Sequence, residues 1–142
     1  ARGDMDPVVF ARARHIVTEN ARTLRMAQAL RDDSVHIISS LMTESQASMR
    51  DDFAITVPAI DQLVAIVNNI VGERGGVRMT GGGFGGCVVA LMPPELVGSC
   101  EAALAQQYRS PDGVAAEVYR PAISAGASYT ELTEPESASS EV

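Results

Sequence analysis

Arg78-Met79-Thr80-Gly81-Gly82-Gly83-Phe84-Gly85-Gly86-Cys87 is the stretch on which the fold turns, because five glycines fall within the six positions from Gly81 to Gly86. Such a density requires backbone torsions closed to other residues, or another group brought very close. Gly81, Gly83 and Gly86 satisfy G-x-G-x-x-G, whose dinucleotide-binding form needs a helix to open at the loop so that its N-terminus meets the pyrophosphate. The residues that follow, Cys87-Val88-Val89-Ala90-Leu91-Met92, are short and β-branched, and Pro93-Pro94 closes them. They read as a buried strand, which sets the dinucleotide reading aside. Val77-Arg78-Met79-Thr80 reads as a strand on the near side, so the loop joins two strands. Two readings stay open on the pattern alone: a hairpin whose glycines simply turn the chain, and an anion nest of successive N–H groups.

Upstream of the loop the sequence is helical. Asp6-Pro7 signals a helix start, and Val9, Ala13, Ile16, Val17, Leu24, Ala27 and Leu30 keep one face of that helix apolar until Asp32-Asp33-Ser34 breaks the pattern and caps the next. Val35, Ile38, Met42, Ser45 and Met49 give a second amphipathic helix that ends near Arg50-Asp51-Asp52, forming a helical hairpin with the first. Thr56 reads as the cap of a third helix, with Pro58 in its first turn, Ile60, Leu63, Val64, Val67, Ile70 and Val71 on its buried side, and Gly72 as its stop. Downstream, a fourth helix spans about Glu95 to Tyr108, and Ala115 to Arg120 reads as a third strand. Helices first, then strands flanking a helix, describe an α+β domain with a small, mostly antiparallel sheet covered on one face. The domain is expected to run over residues 1–127, and 128–142, rich in Ser, Thr, Glu and Pro without periodicity, as a disordered tail.

Composition narrows the function. The net charge of -7 and the pI of about 4.7 argue against a nucleic-acid binder, which needs a clustered basic face. All eleven basic residues are Arg, which excludes a Walker-type phosphate lysine and a lysine Schiff base. The longest apolar runs fall far short of the roughly 20 residues a membrane helix requires, and the first six residues carry no signal-peptide stretch. A reducing, cytoplasmic setting is the simplest expectation. A start at Ala1 directly before a helix signal leads to the further expectation of a larger protein.

Single residues mostly take structural readings. His15 and His36 stand at neither metal nor triad spacing. Cys87 and Cys100 read as small core residues. Arg50, Asp51 and Asp52 read as a solvated charge cluster ending a helix, with ligand or metal contact as the alternative.

The string Met79 to Cys87 resembles the third signature motif of the galactokinases, sugar kinases of the GHMP superfamily, in which a glycine loop lies against the phosphate-binding loop of the nucleotide site. Arg12-Ala13-Arg14-His15-Ile16-Val17-Thr18-Glu19-Asn20, Leu41 to Phe53 and Pro58 to Leu63 resemble further stretches of that family, in the same order. The resemblance covers about Asp6 to Pro121. Gln46 departs from it, standing where these enzymes usually carry His.

The resemblance implies a GHMP C-terminal domain of ferredoxin-like type, and a C-terminal part of an enzyme that phosphorylates the anomeric hydroxyl of D-galactose with ATP and Mg²⁺. It implies that Gly81, Gly82, Gly83, Phe84, Gly85 and Gly86 border the nucleotide. The family's sugar-binding segment, Ser-rich phosphate loop and catalytic Asp are not found in this sequence, so no catalytic or metal-binding residue is assigned, and the chain alone is expected to be inactive and to hold neither cofactor tightly. Its partner would be the N-terminal half of the same polypeptide, and apolar surface meant for that half would favour self-association. The alternative is a non-enzymatic, sugar-kinase-related sensor or interaction domain.

Overall fold

In the computed structural model, which describes residues 5–122 and 124–130, helix α1 (Pro7–Arg31) starts where Asp6 accepts hydrogen bonds from the Val8 and Val9 N–H groups at 2.8 and 3.2 Å. The capping carboxylate satisfies donors that the first turn cannot. Helix α2 (Val35–Ser48) follows after Ser34, whose side chain makes no capping bond, and runs into a five-residue π-helical turn, Met49–Phe53. Helix α3 (Pro58–Val71) is capped at Val57 rather than Thr56. The Thr56 hydroxyl bonds the Asp61 carboxylate instead, at 3.1 Å, because Asp61 lies in the first turn and draws the hydroxyl away from the backbone. Gly72, at φ 53°, ends α3 as expected. A short 3₁₀ turn, Gly72–Arg74, then leads into the hairpin of β1 (Gly76–Thr80) and β2 (Cys87–Leu91), and helix α4 (Pro94–Gln107) follows.

The two strands pair antiparallel, with Val77 opposite Ala90, Met79 opposite Val88 and Thr80 opposite Cys87. Opposed residues share a face, so Val77, Met79 and Val88 point to the α3–α4 side. There Ile66, Val67, Val71, Val77, Cys100, Leu104 and Tyr108 form the main core, each side chain of this size contributing about 1.5–3 kcal/mol when fully buried. A second cluster of Ala29, Ile38, Leu41 and Met42 joins α1 to α2, and a third of Met49, Ile60 and Met79 lies under the glycine loop. Gly76 lets α2 close onto β1, since a Cβ there would stand 2.7 Å from the Met42 sulfur.

Further sequence expectations are corrected. Ala115 to Arg120 forms no strand. Ala116 packs on the core and Arg120 bonds Glu101 of α4, so side chains rather than ladder hydrogen bonds hold the segment, and its two alanines have little strand preference. Strand β2 is not buried: Cys87, Val89 and Leu91 are exposed on the face where α2 packs on β1 rather than on β2, and Ala90, opposite Val77 on the other face, is exposed as well. The placement of Cys87 in the core is thereby overturned, whereas Cys100 is buried.

The apolar stripe of α1 also faces away from the domain. Val9, Ile16, Val17, Leu24 and Leu30 are each at least half exposed, up to 76% at Leu24. The packed stripe is His15, Glu19, Arg22, Met26 and Ala29, which repeats at four, three, four and three residues and is mostly polar. The expected tail from 128 onward lies mainly in 131–142, outside the described residues.

Candidate functional site

The glycine loop connects two strands, as its flanking residues dictate. Gly81, Gly83, Gly85 and Gly86 hold φ of 95°, 87°, 137° and 94°, in territory that glycine enters without strain. Phe84 joins them at φ 57° as a non-glycine, and the residue is 73% exposed. The loop is pinned at its centre. The Phe84 N–H donates to the Ile55 carbonyl at 2.6 Å, and Gly83 passes so close to Ile55 that a Cβ would meet its side chain. At Gly81, Gly82 and Gly85 an added Cβ would meet nothing within 4 Å, so the outer side of the loop presents backbone without side-chain bulk.

Behind the loop, Gln46 fixes β1. Its carbonyl oxygen accepts from the Met79 N–H at 2.8 Å and its amide donates to Asp61 at 3.1 Å. A neutral histidine could serve both partners, with one ring nitrogen accepting and the other donating, so the departure from the resemblance preserves the bonding pattern. Met79 is fully buried, and without Gln46 its N–H would have no route to water.

Two charged networks tie α1 to these elements. In the first, Glu19 accepts from Arg22 at 2.9 Å, from the Ser45 hydroxyl at 2.6 Å and from Arg78 at 3.1 Å. Burial pushes the Glu19 carboxyl up, but the hydrogen bonds from Ser45 and Arg22 and the charges of Arg22 and Arg78 hold it below its ordinary range. An open cavity of about 310 Å³ lies beside this network, walled by Met26, Leu41 and Met42.

In the second, Arg14 bonds Asp52 through both Nε, at 3.1 Å, and Nη2, while Arg12 donates to the Asp52 carbonyl at 2.5 Å. The Arg14 hydrogen bonds hold the Asp52 carboxyl below the usual range. Ser48 donates to the same carboxylate at 3.3 Å, and its oxygen lies 2.9 Å from His15 Nδ1. With the Ser48 proton directed at Asp52, His15 must donate, which places its proton on Nδ1. Burial lowers the His15 pKa, and the ring stacks on Phe53 with centroids 4.5 Å apart.

The solvated charge cluster is therefore divided. Arg50 and Asp51 pair in solvent, whereas Asp52 is buried against α1. Ile55, Arg14, Asp52 and Ser48 were not singled out by the sequence as supports of the loop. The polar repeat of Arg12, His15, Glu19 and Arg22, at intervals of three and four, was the signal available for the packed face of α1. His36 stands exposed, 3.8 Å from Glu73. Among the described residues, no three His, Cys, Asp or Glu side chains are grouped so as to hold a metal ion, and no helix is long and apolar enough to cross a membrane.

A glycine hairpin held on an α+β domain in this way belongs to a known class. Residues 26–110 match the family described as GHMP kinases C terminal, over more than half of the chain, and the chain belongs to that family. It is similar, at 35% identity and a TM-score of 0.67 over 72% of its length, to the galactokinase of Lactococcus lactis in the crystal structure of its complex with galactose. The match covers 26% of that chain, so the present chain spans about a quarter of its relative's length.

Proposed function

We propose that the chain is the C-terminal part of a cytoplasmic galactokinase, and that in the longer polypeptide residues Gly81 to Gly86 form one wall of the ATP phosphate site. The observation that carries this reading is the pinned glycine hairpin within a sequence 35% identical to a galactokinase. The loop fits such a wall: its outer side brings peptide groups close to a ligand with no side chain in the way at Gly81, Gly82 and Gly85. When bound, Mg-ATP supplies the phosphoryl group that the anomeric hydroxyl of D-galactose accepts. The chain's own contribution is to hold the wall in place, since phosphoryl transfer depends largely on positioning and charge stabilisation.

The remaining groups, including the Mg²⁺ ligands and the group beside the attacking hydroxyl, belong in this reading to the N-terminal half. The isolated chain is accordingly proposed to be inactive. The test is a coupled ADP-release assay with galactose, run on the 142-residue chain and on a polypeptide restoring the preceding half. Turnover by the longer protein alone is expected. Turnover by the short chain would refute the division of labour, and failure of the longer protein with galactose but success with another sugar would refute the substrate.

A second reading, a non-enzymatic domain that binds a protein partner, draws on the exposed apolar stripe of α1 and the outer face of β2. It predicts an unrelated domain, without a Ser-rich phosphate loop, upstream of Ala1.

A further inference from the structure

The segment that pins the glycine loop is itself held from α1. The π turn Met49–Phe53 ends in Ala54, whose φ of 53° and ψ of 49° are left-handed, and Ile55 then turns its N–H back to the Met49 carbonyl at 3.1 Å. Ile55 thus presents its own carbonyl to the Phe84 N–H. Two of the three described non-glycine residues with positive φ, Ala54 and Phe84, flank this one hydrogen bond. Such conformations persist only where the surroundings enforce them. The enforcing groups lie on the other side of the turn: Arg14 grips the Asp52 carboxylate, and Arg12 holds the Asp52 carbonyl while its guanidinium stands 5.7 Å from the Phe53 ring centroid. The π turn closes the C-terminus of α2, where such turns are common, and the left-handed Ala54 after it redirects the backbone.

We propose that Arg14 and Asp52, with Arg12, are positioning residues for the glycine loop: by clamping the π turn to α1 they set where the Ile55 carbonyl sits, and through it the path of Gly83 and Phe84. The inference rests on the reading of that loop as the wall of a nucleotide site. Neither Arg14 nor Asp52 needs to touch the nucleotide. Arg14 is about half exposed, so its pairing adds little to overall stability, yet two parallel N–H···O bonds fix the direction of the turn in a way a single contact would not.

The first test reads backbone amide exchange in the 142-residue chain. In Arg14→Ala the Phe84 amide is expected to exchange roughly tenfold faster, while amides of the α3 core such as Val67 keep their rates. Equal acceleration of both would show a merely structural role, and an unchanged Phe84 amide would overturn the proposal.

The second test is kinetic, in the polypeptide that restores the preceding half. Arg14→Ala and Asp52→Asn should raise KM for ATP or lower kcat/KM for ATP roughly tenfold, with KM for the sugar within about twofold, and Arg14→Lys should recover part of the loss. Should Asp52→Asn fail to fold, Arg14→Lys and Arg14→Ala decide the matter. Gly83→Val serves as the reference. If it impairs ATP use and the Arg14 variants do not, the clamp is wrong. If it leaves ATP use unchanged, the reading of the loop is wrong, and the amide exchange still decides the clamp.

Discussion

A Cβ placed on Gly83 would stand 2.8 Å from the Ile55 Cβ, closer than real Cβ atoms approach their neighbours, and a tight 3.0 Å from the Ile55 carbonyl oxygen. At φ 87° the position is also strained for any L side chain. Gly83→Ala should therefore lower stability by about 1–3 kcal/mol through left-handed strain and overpacking, and Gly83→Val by more. Thermal unfolding of the isolated chain checks the energetic part. Loss of the Phe84 to Ile55 hydrogen bond, read from amide exchange, checks the geometric part. A Gly83→Ala chain with unchanged melting and exchange would contradict the close approach.

Gln46 gives a prediction of opposite character, because its replacement can be harmless or costly according to hydrogen-bonding capacity alone. Gln46→Leu keeps the volume but strands the buried Met79 N–H and removes a donor from Asp61, and should cost about 1–3 kcal/mol. Gln46→His should cost less, since its two nitrogens can replace both bonds. Denaturant unfolding of the two variants beside the parent tests the ordering. Equal destabilisation would show that side-chain shape, rather than satisfaction of Met79, governs the site.

Acid should weaken the domain in two stages. His15 has its pKa lowered, chiefly by burial, with Glu19 and Asp52 opposing and Arg22 and Arg78 reinforcing the shift. The unfolded state then binds the proton more readily, so stability is full above the unfolded histidine value of about 6.5 and falls as pH drops through it. Glu19 and Asp52, both held below their ordinary values, contribute stability that is present above about pH 4 and disappears as pH falls further. His15→Phe retains an aromatic ring to stack on Phe53 and should abolish the first stage while leaving the second. Melting temperatures between pH 7 and pH 3 resolve the two.

The outward stripe of α1 should make the isolated chain associate. Leu24 and Val17 are exposed by 76% and 69%, so Leu24→Glu and Val17→Glu should leave the melting temperature nearly unchanged while reducing concentration-dependent association. Sedimentation or light scattering over a hundredfold range of concentration measures it. A parent chain that stays monomeric throughout would remove the case for α1 as a docking face.

How far the sequence could be read depended on whether a feature is local. The glycine loop, the Asp6 cap, the Gly72 stop and the strand character of Cys87 to Leu91 all follow from torsional preferences of the residues themselves, and the structure has each where the sequence places it. The packed face of α1 follows from something else. An apolar stripe on a helix indicates that the stripe will be covered, but not by what, and here Glu19 and Arg78, 59 residues apart, decide which side meets the domain. The supports of the loop were hidden for the same reason. Arg14 and Asp52 are 38 positions apart, and Ile55 resembles any other apolar residue until Phe84 is folded onto its carbonyl. Exposure of β2 was likewise invisible, because five apolar residues in a row look the same whether one side is covered or two.

The turn at Met49–Phe53 carries one residue more than an ordinary helical turn would hold, and this has a genetic consequence. Deleting a single codon there would let α2 continue as a regular helix, while turning Ala54 and Ile55 directly after it by about 100° against a hairpin that Gln46 and Met42 still hold to α2. Such a deletion would spare the fold of the hairpin yet carry the Ile55 carbonyl away from Phe84. An indel of one amino acid, normally tolerated at a helix end, is at this position the smallest heritable change that could uncouple the glycine loop from its anchor.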